Sequence, residues 1–572
     1  MPVHNVEIAG LFTRYADLLE IEDANPFRVR AYRNAARAVG GDSRGMADLL
    51  AKGRDLSELP GIGKDLAAKI AVIVRTGHLP QLEEAEKRTP RALGELMQLP
   101  GLGPKRVKLL YRELDIRNHE DLVRAVRSGK LQDLPGFGPK ITQKIAKALR
   151  QGPSSPKRIS LVEAEQIAAP LLAYLKKSPG IQSVEVAGSF RRRQETVGDL
   201  DILAVAKQPA SIMRRFAAYD AVTDVLSQGD TKSSVRLRSG FQVDLRIVPQ
   251  ESYGAALYYF TGSKAHNIAV RKLAVARRLK INEYGIYRGS RRVAGRSEAE
   301  LFECMRLAYI PPELRENRGE IEAARRGRMP RLLTVADLRG DLHSHTRETD
   351  GRDSLRDMAG AARTLGYEYL AITDHSRRVS VAHGMDERRI RAQMAAIDKL
   401  NAGFKGFRLL KSAEVDILED GSLDLPDSVL QKLDLVVGAV HYKLDLPVPK
   451  QTRRLLKAMD NPHLNILAHP SGRLINTRAP MHYDFEKILR GAKERGCFLE
   501  VDSQPERLDL DDIHCKLAKD MGVKLAISSD AHSRDGLGLI RHGVDQARRG
   551  WIEASDVLNT LPLAKLLGAL RR

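Results

Sequence analysis

Residues 186–203 read VAGSFRRRQETVGDLDIL, and the order of residue types in this stretch decides how the middle of the chain is read. The apolar residues around Asp199-Leu200-Asp201 predict a β-strand, whose two-residue period points both carboxylates to one face. A later run, FQVDLRIV, predicts a further strand carrying Asp244. Three carboxylates on adjacent strands can hold two magnesium or manganese ions about 4 Å apart, the arrangement for in-line phosphoryl transfer. Ahead of them, Gly188 and Ser189 predict a turn whose backbone and hydroxyl donate to a phosphate. Arg192 adds a permanent planar cation. A lone Asp-x-Asp is usually a pair of surface carboxylates. Gly-Ser followed ten residues later by Asp-x-Asp, with a third strand aspartate beyond, is a much narrower pattern.

Outward from this stretch the charge is uneven. The 572 residues carry a net charge of +21, nearly all of it in the first 340, whereas 11 of the 15 histidines lie in residues 341–572. The basic part suits a polyanion and the histidine-rich part suits metal, although a basic surface can also be merely solvated. The basic part contains one segment three times: LPGIGKDLAAKI (59–70), LPGLGPKRVKLL (99–110) and LPGFGPKITQKI (134–145). In each, a Pro-Gly-x-Gly turn leads into an amphipathic helix bearing Lys or Arg. The glycine pairs Gly61/Gly63, Gly101/Gly103 and Gly136/Gly138 leave N–H donors open at a helix N-terminus, a device for gripping a DNA phosphate without reading bases. A single copy could be no more than a packing corner. The odd set Cys304, Cys497 and Cys515 lacks metal or disulfide spacing, and no 18-residue apolar span or export signal is visible.

Here the sequence resembles a known family. GSFRRRQETVGDLDI is similar to the nucleotidyltransferase signature of the DNA polymerase X family, and YYFTGSKAHN (258–267) resembles its nucleotide-binding thumb motif. The resemblance implies that Tyr259 and Phe260 pack on the incoming sugar and that Gly262 lets the backbone approach closely. It places Asn267 at the minor-groove edge of the base, Arg271 on the template strand and Arg158 on the triphosphate. On residue type alone the aromatic pair could equally belong to a buried strand and turn. The N-terminal region resembles the family's lyase domain, with Lys69 at the Schiff-base position; a plain phosphate contact is the alternative. Gln242 and Lys264 depart from the family, the former standing where polymerase beta has an arginine and the latter where it has an acidic residue.

The C-terminal part runs as hydrophobic strands, each ending in a polar cluster: His343 and His345, then Asp350, His375, Glu414, His441, His469, and Asp530 with His532. On a β/α barrel such ends converge on one face. Six imidazoles and three carboxylates suit manganese, zinc or iron, up to three ions. The set resembles the PHP (polymerase and histidinol phosphatase) domain, which implies metal-dependent phosphoester hydrolysis. His383, His463, His482, His514 and His542 fit no ligand position, although His383 stands where it could line the cleft.

These readings predict a multidomain chain. Helical helix-hairpin-helix domains at 1–80 (lyase-like) and 81–152 (fingers) precede an α/β nucleotidyltransferase palm at 153–250 and a thumb at 251–318. A charged connector at 319–339 then leads to a distorted β/α barrel of the PHP type at 340–572. The implied function is gap-filling DNA synthesis in repair with a 3′→5′ exonuclease and abasic-site cleavage. The implied partners are gapped or primer–template DNA and deoxynucleoside triphosphates, for a monomer in the bacterial cytoplasm beside the nucleoid. A small-molecule phosphatase tethered to a DNA-binding module and a non-catalytic scaffold are the alternatives. The first leaves the three repeats unused, and the second predicts degraded ligand positions.

Overall fold

The structure, a computed structural model, describes residues 3, 5–41, 45–59, 61–89, 93, 96, 97, 99, 102–150 and 158–571. Gly101 and the polar stretch 151–157 therefore lie outside the described residues. The chain forms two compact units, one of residues 1–187 with Thr196–Gln250, the other of Gly188–Glu195 with Glu251–Arg572.

Among its described residues the first unit begins with helices only, and a hydrophobic core runs from Val3 to Ile145, so the two expected helical domains share it. Each repeat makes the same turn. Ile62, Leu102 and Phe137 donate their amides to the carbonyls of Leu59, Leu99 and Leu134, and all three side chains are buried. Gly61 and Gly136 take φ of +71° and +85°, where a side chain would be strained. Gly63 and Gly103 then cap the helices Lys64–Thr76 and Pro104–Leu114 with no side-chain acceptor, and the helix Pro139–Arg150 follows Gly138. The first amides of these helices have no intrahelical acceptor, as the motif requires.

A five-stranded sheet completes this unit in the order Ile181–Val186, Leu200–Ala206, Gln242–Ile247, Lys232–Leu237, Val222–Gln228. Only the pair Leu200–Ala206 and Gln242–Ile247 is parallel. The helix Leu161–Lys176 packs beside it, started by a capping box between Ser160 and Glu163.

In the second unit the thumb region forms around two helices, Tyr253–Thr261 and Lys264–Ala276, so the aromatic pair is helical and not on a strand. Residues 319–339 are no free connector. They carry the helix Glu320–Arg325, and Ala324 and Leu332 join the thumb core. Glu320 is fully buried, its Oε1 2.6 Å from Nδ1 of the equally buried His266. Residues 188–195 also group with this unit, because Arg191 forks onto Glu298 at 2.9 Å and Arg192 reaches Glu316 at 2.9 Å.

The barrel has seven parallel strands in chain order: Gly340–Asp341, Tyr369–Ile372, Arg408–Asp416, Leu435–Ala439, Ile466–Leu467, Phe498–Asp502 and Leu525–Ser528. Fully buried runs such as YLAI and LVVGA suit strands covered on both faces. Past the first and last strands a parallel bridge, Ser344 to Ala531, nearly closes the ring, with the His345 amide donating to the Ala531 carbonyl at 2.8 Å. Gly340 lies against Tyr369 so closely that a Cβ there would meet its carbonyl oxygen at 2.3 Å.

Candidate functional site

In the first unit, Asp201 and Asp244 are register partners across the parallel strand pair, and Asp199 stands two residues before Asp201 at the strand mouth. Partial burial and the neighbouring Asp244 charge raise the Asp199 carboxyl above its ordinary range, with Arg158 opposing. Gln242, the departure noted above, donates its amide to Asp244 Oδ1 at 3.0 Å. Arg158 donates from Nε to the Thr196 hydroxyl at 2.9 Å and from Nη2 to the Thr196 carbonyl, and lies against Gly198. Carboxylates with Arg158 beside them have the donor chemistry of a magnesium or manganese site.

Lys69 sits on the helix behind the first repeat's turn and pairs with Asp65 one helical turn back. A nucleophilic amine would have to give up that carboxylate first.

In the second unit, Gly188 takes φ +64° at the head of a one-turn helix through Arg191, with Ser189 following it. Arg192 is held from two sides. Its Nε donates to Glu316, and its Nη1 donates to the Thr261 carbonyl at the end of the aromatic helix. Gly262 follows with φ +70° and ψ −150°, and a Cβ there would lie 3.2 Å from Arg192 Nη1. Tyr259 and Phe260 meet edge to face at 5.1 Å, and Arg271 lies over the Tyr259 ring at 5.0 Å. Asn267 donates to the Tyr259 carbonyl at 2.8 Å, while its buried Oδ1 is left without a partner. Lys264 is exposed at the start of its helix.

All nine ligand-type residues of the barrel meet at the strand ends. Three sets each bring their ligand atoms within 4.8 Å: His345, Asp350, His375 and His532; His343, His345 and Asp530; His375, Glu414 and His441. His469 joins through Nε2, 3.0 Å from Glu414 Oε1. Glu414 is the hub, its oxygens also 2.7 Å from His375 Nδ1, 3.3 Å from His441 Nε2 and 3.6 Å from His343 Nε2. Burial pushes His343 and His375 down, but the carboxylates around them prevail and hold both well above the usual imidazole range. The cluster suits metal by a further sign: His343 Nε2 and His345 Nε2 are buried with no hydrogen-bond partner.

Sequence reading missed the residues that aim these ligands. Glu500 Oε1 lies 2.7 Å from His343 Nδ1, and Asp416 Oδ1 lies 2.9 Å from His441 Nδ1. The Asp530 carbonyl lies 2.8 Å from His532 Nδ1. When Nδ1 donates to such an acceptor, Nε2 presents its lone pair to the cluster. The signal was there for two of them: Asp416 follows Glu414 by two residues on one strand, and Glu500 lies on the strand Phe498–Asp502. Asp502, on the same strand, is driven well up by burial and by the Asp530 and Glu500 charges. His383, His463, His482, His514 and His542 lie outside the three ligand sets; His383 is exposed and His514 pairs with Asp511 at 2.8 Å.

The three ligand sets of the histidine-rich barrel, with Asp201 and Asp244 paired on neighbouring strands, offer the donor chemistry of metal-dependent phosphate-ester enzymes. The family model described as DNA polymerase beta thumb matches residues 256–316. Models described as helix-hairpin-helix domain and SAM-like helix-hairpin-helix tandem match residues 3–79 and 93–151. The chain is 37% identical over 574 residues to the DNA polymerase/3′-5′ exonuclease PolX of Bacillus subtilis (strain 168), with 100% of each chain covered. Over 231 residues, 38% of this chain and 89% of the relative, it is 29% identical to a probable phosphatase of Thermoanaerobacter sp. (strain X514). A probable phosphatase of Caldanaerobacter subterraneus subsp. tengcongensis is 31% identical over 219 residues, 36% of this chain and 79% of that protein. The chain belongs to the bacterial DNA polymerase X family whose members carry a C-terminal PHP domain.

Proposed function

We propose that this protein is a template-directed DNA polymerase that fills short gaps during repair, base excision repair included. We assign its barrel a metal-dependent 3′→5′ exonuclease activity that also cleaves at abasic sites. What supports this is the presence in one chain of two sets of side chains of different character, one on the paired strands and one in the barrel. Asp199, Asp201 and Asp244 offer oxygen only, and the barrel set is mostly imidazole. Oxygen ligands suit magnesium or manganese; imidazoles suit manganese, zinc or iron. Bound ions would activate an attacking oxygen and offset charge on phosphate oxygens.

The chain's own residues supply the rest. Gln242 orients Asp244, and Arg158 supplies a cation beside Asp199 for the deoxynucleoside triphosphate. Ser189 and Arg192 receive phosphate oxygens, and Tyr259, Phe260 and Gly262 receive the sugar. Asn267 meets the minor-groove edge of the base, and Arg271 meets the template. The Pro-Gly-x-Gly turns hold the DNA backbone through Gly61, Gly63, Gly101, Gly103, Gly136 and Gly138, so affinity falls steeply with salt. In the barrel, Glu500 and Asp416 keep His343 and His441 aimed while a phosphoester is hydrolysed. The enzyme works as a monomer in the cytoplasm, at the nucleoid. Among the described residues no helix is long and apolar enough to cross a membrane.

A labelled primer on a gapped duplex, with and without nucleotides in magnesium or manganese, tests both activities at once. Asp199→Ala with Asp201→Ala is expected to end extension and spare degradation; His343→Ala with His345→Ala is expected to do the reverse. Extension surviving in the first variant, or degradation in the second, refutes the corresponding assignment.

A further inference from the structure

The turn that carries Ser189 and Arg192 is gripped by side chains that belong to the barrel. Arg549, on the barrel helix Ile540–Arg549, is buried, and its Nη1 donates to the Arg192 carbonyl at 2.8 Å and to Glu316 Oε1 at 3.3 Å. The same Glu316 oxygen accepts from Arg192 Nε at 2.9 Å and from Gln194 at 2.6 Å. The other guanidinium nitrogen of Arg549 is fixed on Asp512, which also holds Arg318 at 2.9 Å. At the far end of the turn, Glu195 accepts from Arg473 Nη2 at 2.7 Å. Arg473 is itself anchored, its Nε donating to the Arg507 carbonyl at 2.9 Å. Arg193 reaches Asp545 at 3.3 Å. A four-residue helix with positive φ at its head cannot hold this geometry alone, since isolated short helices are unstable in water.

We infer that Arg549 and Arg473 are positioning residues for nucleotide addition: the phosphoesterase domain holds the triphosphate-binding turn of the polymerase in its working shape. This rests on the polymerase reading above. Arg549 acts twice. It pins the Arg192 backbone, and it shares Glu316, so that the carboxylate does not monopolise the Arg192 guanidinium. Without Arg549, Glu316 holds Arg192 more tightly and the triphosphate meets a misplaced, over-neutralised cation. The effect therefore falls on nucleotide binding.

The test is single-nucleotide insertion into a gapped duplex by the full chain with magnesium. Arg549→Met is expected to raise the nucleotide KM roughly tenfold, as the loss of one charge-assisted hydrogen bond would, with kcat little changed. Arg549→Lys, which keeps the charge and loses the fork, should recover part of it. A merely structural role would cut the amount of active enzyme, lowering kcat and leaving KM alone; that result overturns the inference. If Arg549→Met does not fold, the exchanged pair decides. Glu195→Arg and Arg473→Glu should each raise KM and together restore it, and singles with the original KM overturn the inference. Absence of any insertion by the unsubstituted chain would instead sink the polymerase reading, and this inference with it.

Discussion

Glu298 is the carboxylate on which the thumb is hung, and replacing it with Gln has a calculable outcome. Its oxygens take Arg191 in a fork at 2.9 Å and Arg315 Nη1 at 2.5 Å, and its side chain is 7% exposed. Burial drives the carboxyl up, but the Arg315 and Arg191 guanidiniums prevail and hold it down at about 2. Arg315 is itself fully buried, stacked within 5.2–5.6 Å of the Tyr258, Phe302 and Tyr309 rings, and cannot turn to water for a partner. A carboxyl held at about 2 against an ordinary 4.5 contributes on the order of 3 kcal/mol at neutral pH. Because the folded value is depressed, that contribution is complete above about 4.5 and is lost as pH falls from there toward 2. Trp551, the only tryptophan, packs against this core, so its fluorescence during urea unfolding reports the transition. Glu298→Gln should lower stability by about 3 kcal/mol at about pH 7.5, with the deficit constant to about pH 5 and shrinking below. A deficit that fades between about pH 7.5 and 6, or none at all, refutes the reasoning.

Three further outcomes follow from the same contacts. Gly262→Ala should cost about 1–3 kcal/mol locally and raise the nucleotide KM, because φ +70° with a Cβ 3.2 Å from Arg192 Nη1 leaves no unstrained place for a methyl group; an unchanged KM in gap filling counts against it. Burial depresses His266 despite the Glu320 carboxylate, so the thumb should lose stability as pH falls through about 6.5. His266→Asn, measured by melting at about pH 7.5 and 5.5, should lack that loss; an identical loss in both proteins would refute the assignment. Manganese should raise the melting temperature of the native chain and leave that of Glu414→Gln nearly unmoved, since five histidines converge within 3.7 Å of that carboxylate. An equal rise in both would remove Glu414 from the centre of the cluster.

Much of this could be read from residue order, for a physical reason. A ligand at the end of a buried strand announces itself, because the hydrophobic run before it is continuous and the polar residue breaks it. That is how His375, His441 and Asp530 were legible, and the pairing of Asp201 with Asp244 was legible from the strands that carry them. Glu298, Glu316 and Arg549 were not. Each is an ordinary charged residue on or near a short helix, and its partner lies 107 residues away for Glu298 and Arg191, 124 for Glu316 and Arg192, and 357 for Arg549 and Arg192. No local pattern separates a buried ion pair of that kind from a solvated one. Residues 319–339 looked like a connector for the same reason: the burial of Glu320 depends on His266, which no window around it contains.

The bridge between Ser344 and Ala531 sets an order of events during synthesis of the chain. His343 and His345 emerge from the ribosome early in the barrel, yet Asp530 and His532 come almost 190 residues later, beyond the last strand. Translation that stops short of residue 530 would release a protein with all three palm carboxylates in place and a gap in its ring. Such a fragment would also lack Arg549, so the last stretch of the chain to be made completes the ring and the grip on the Arg192 turn together.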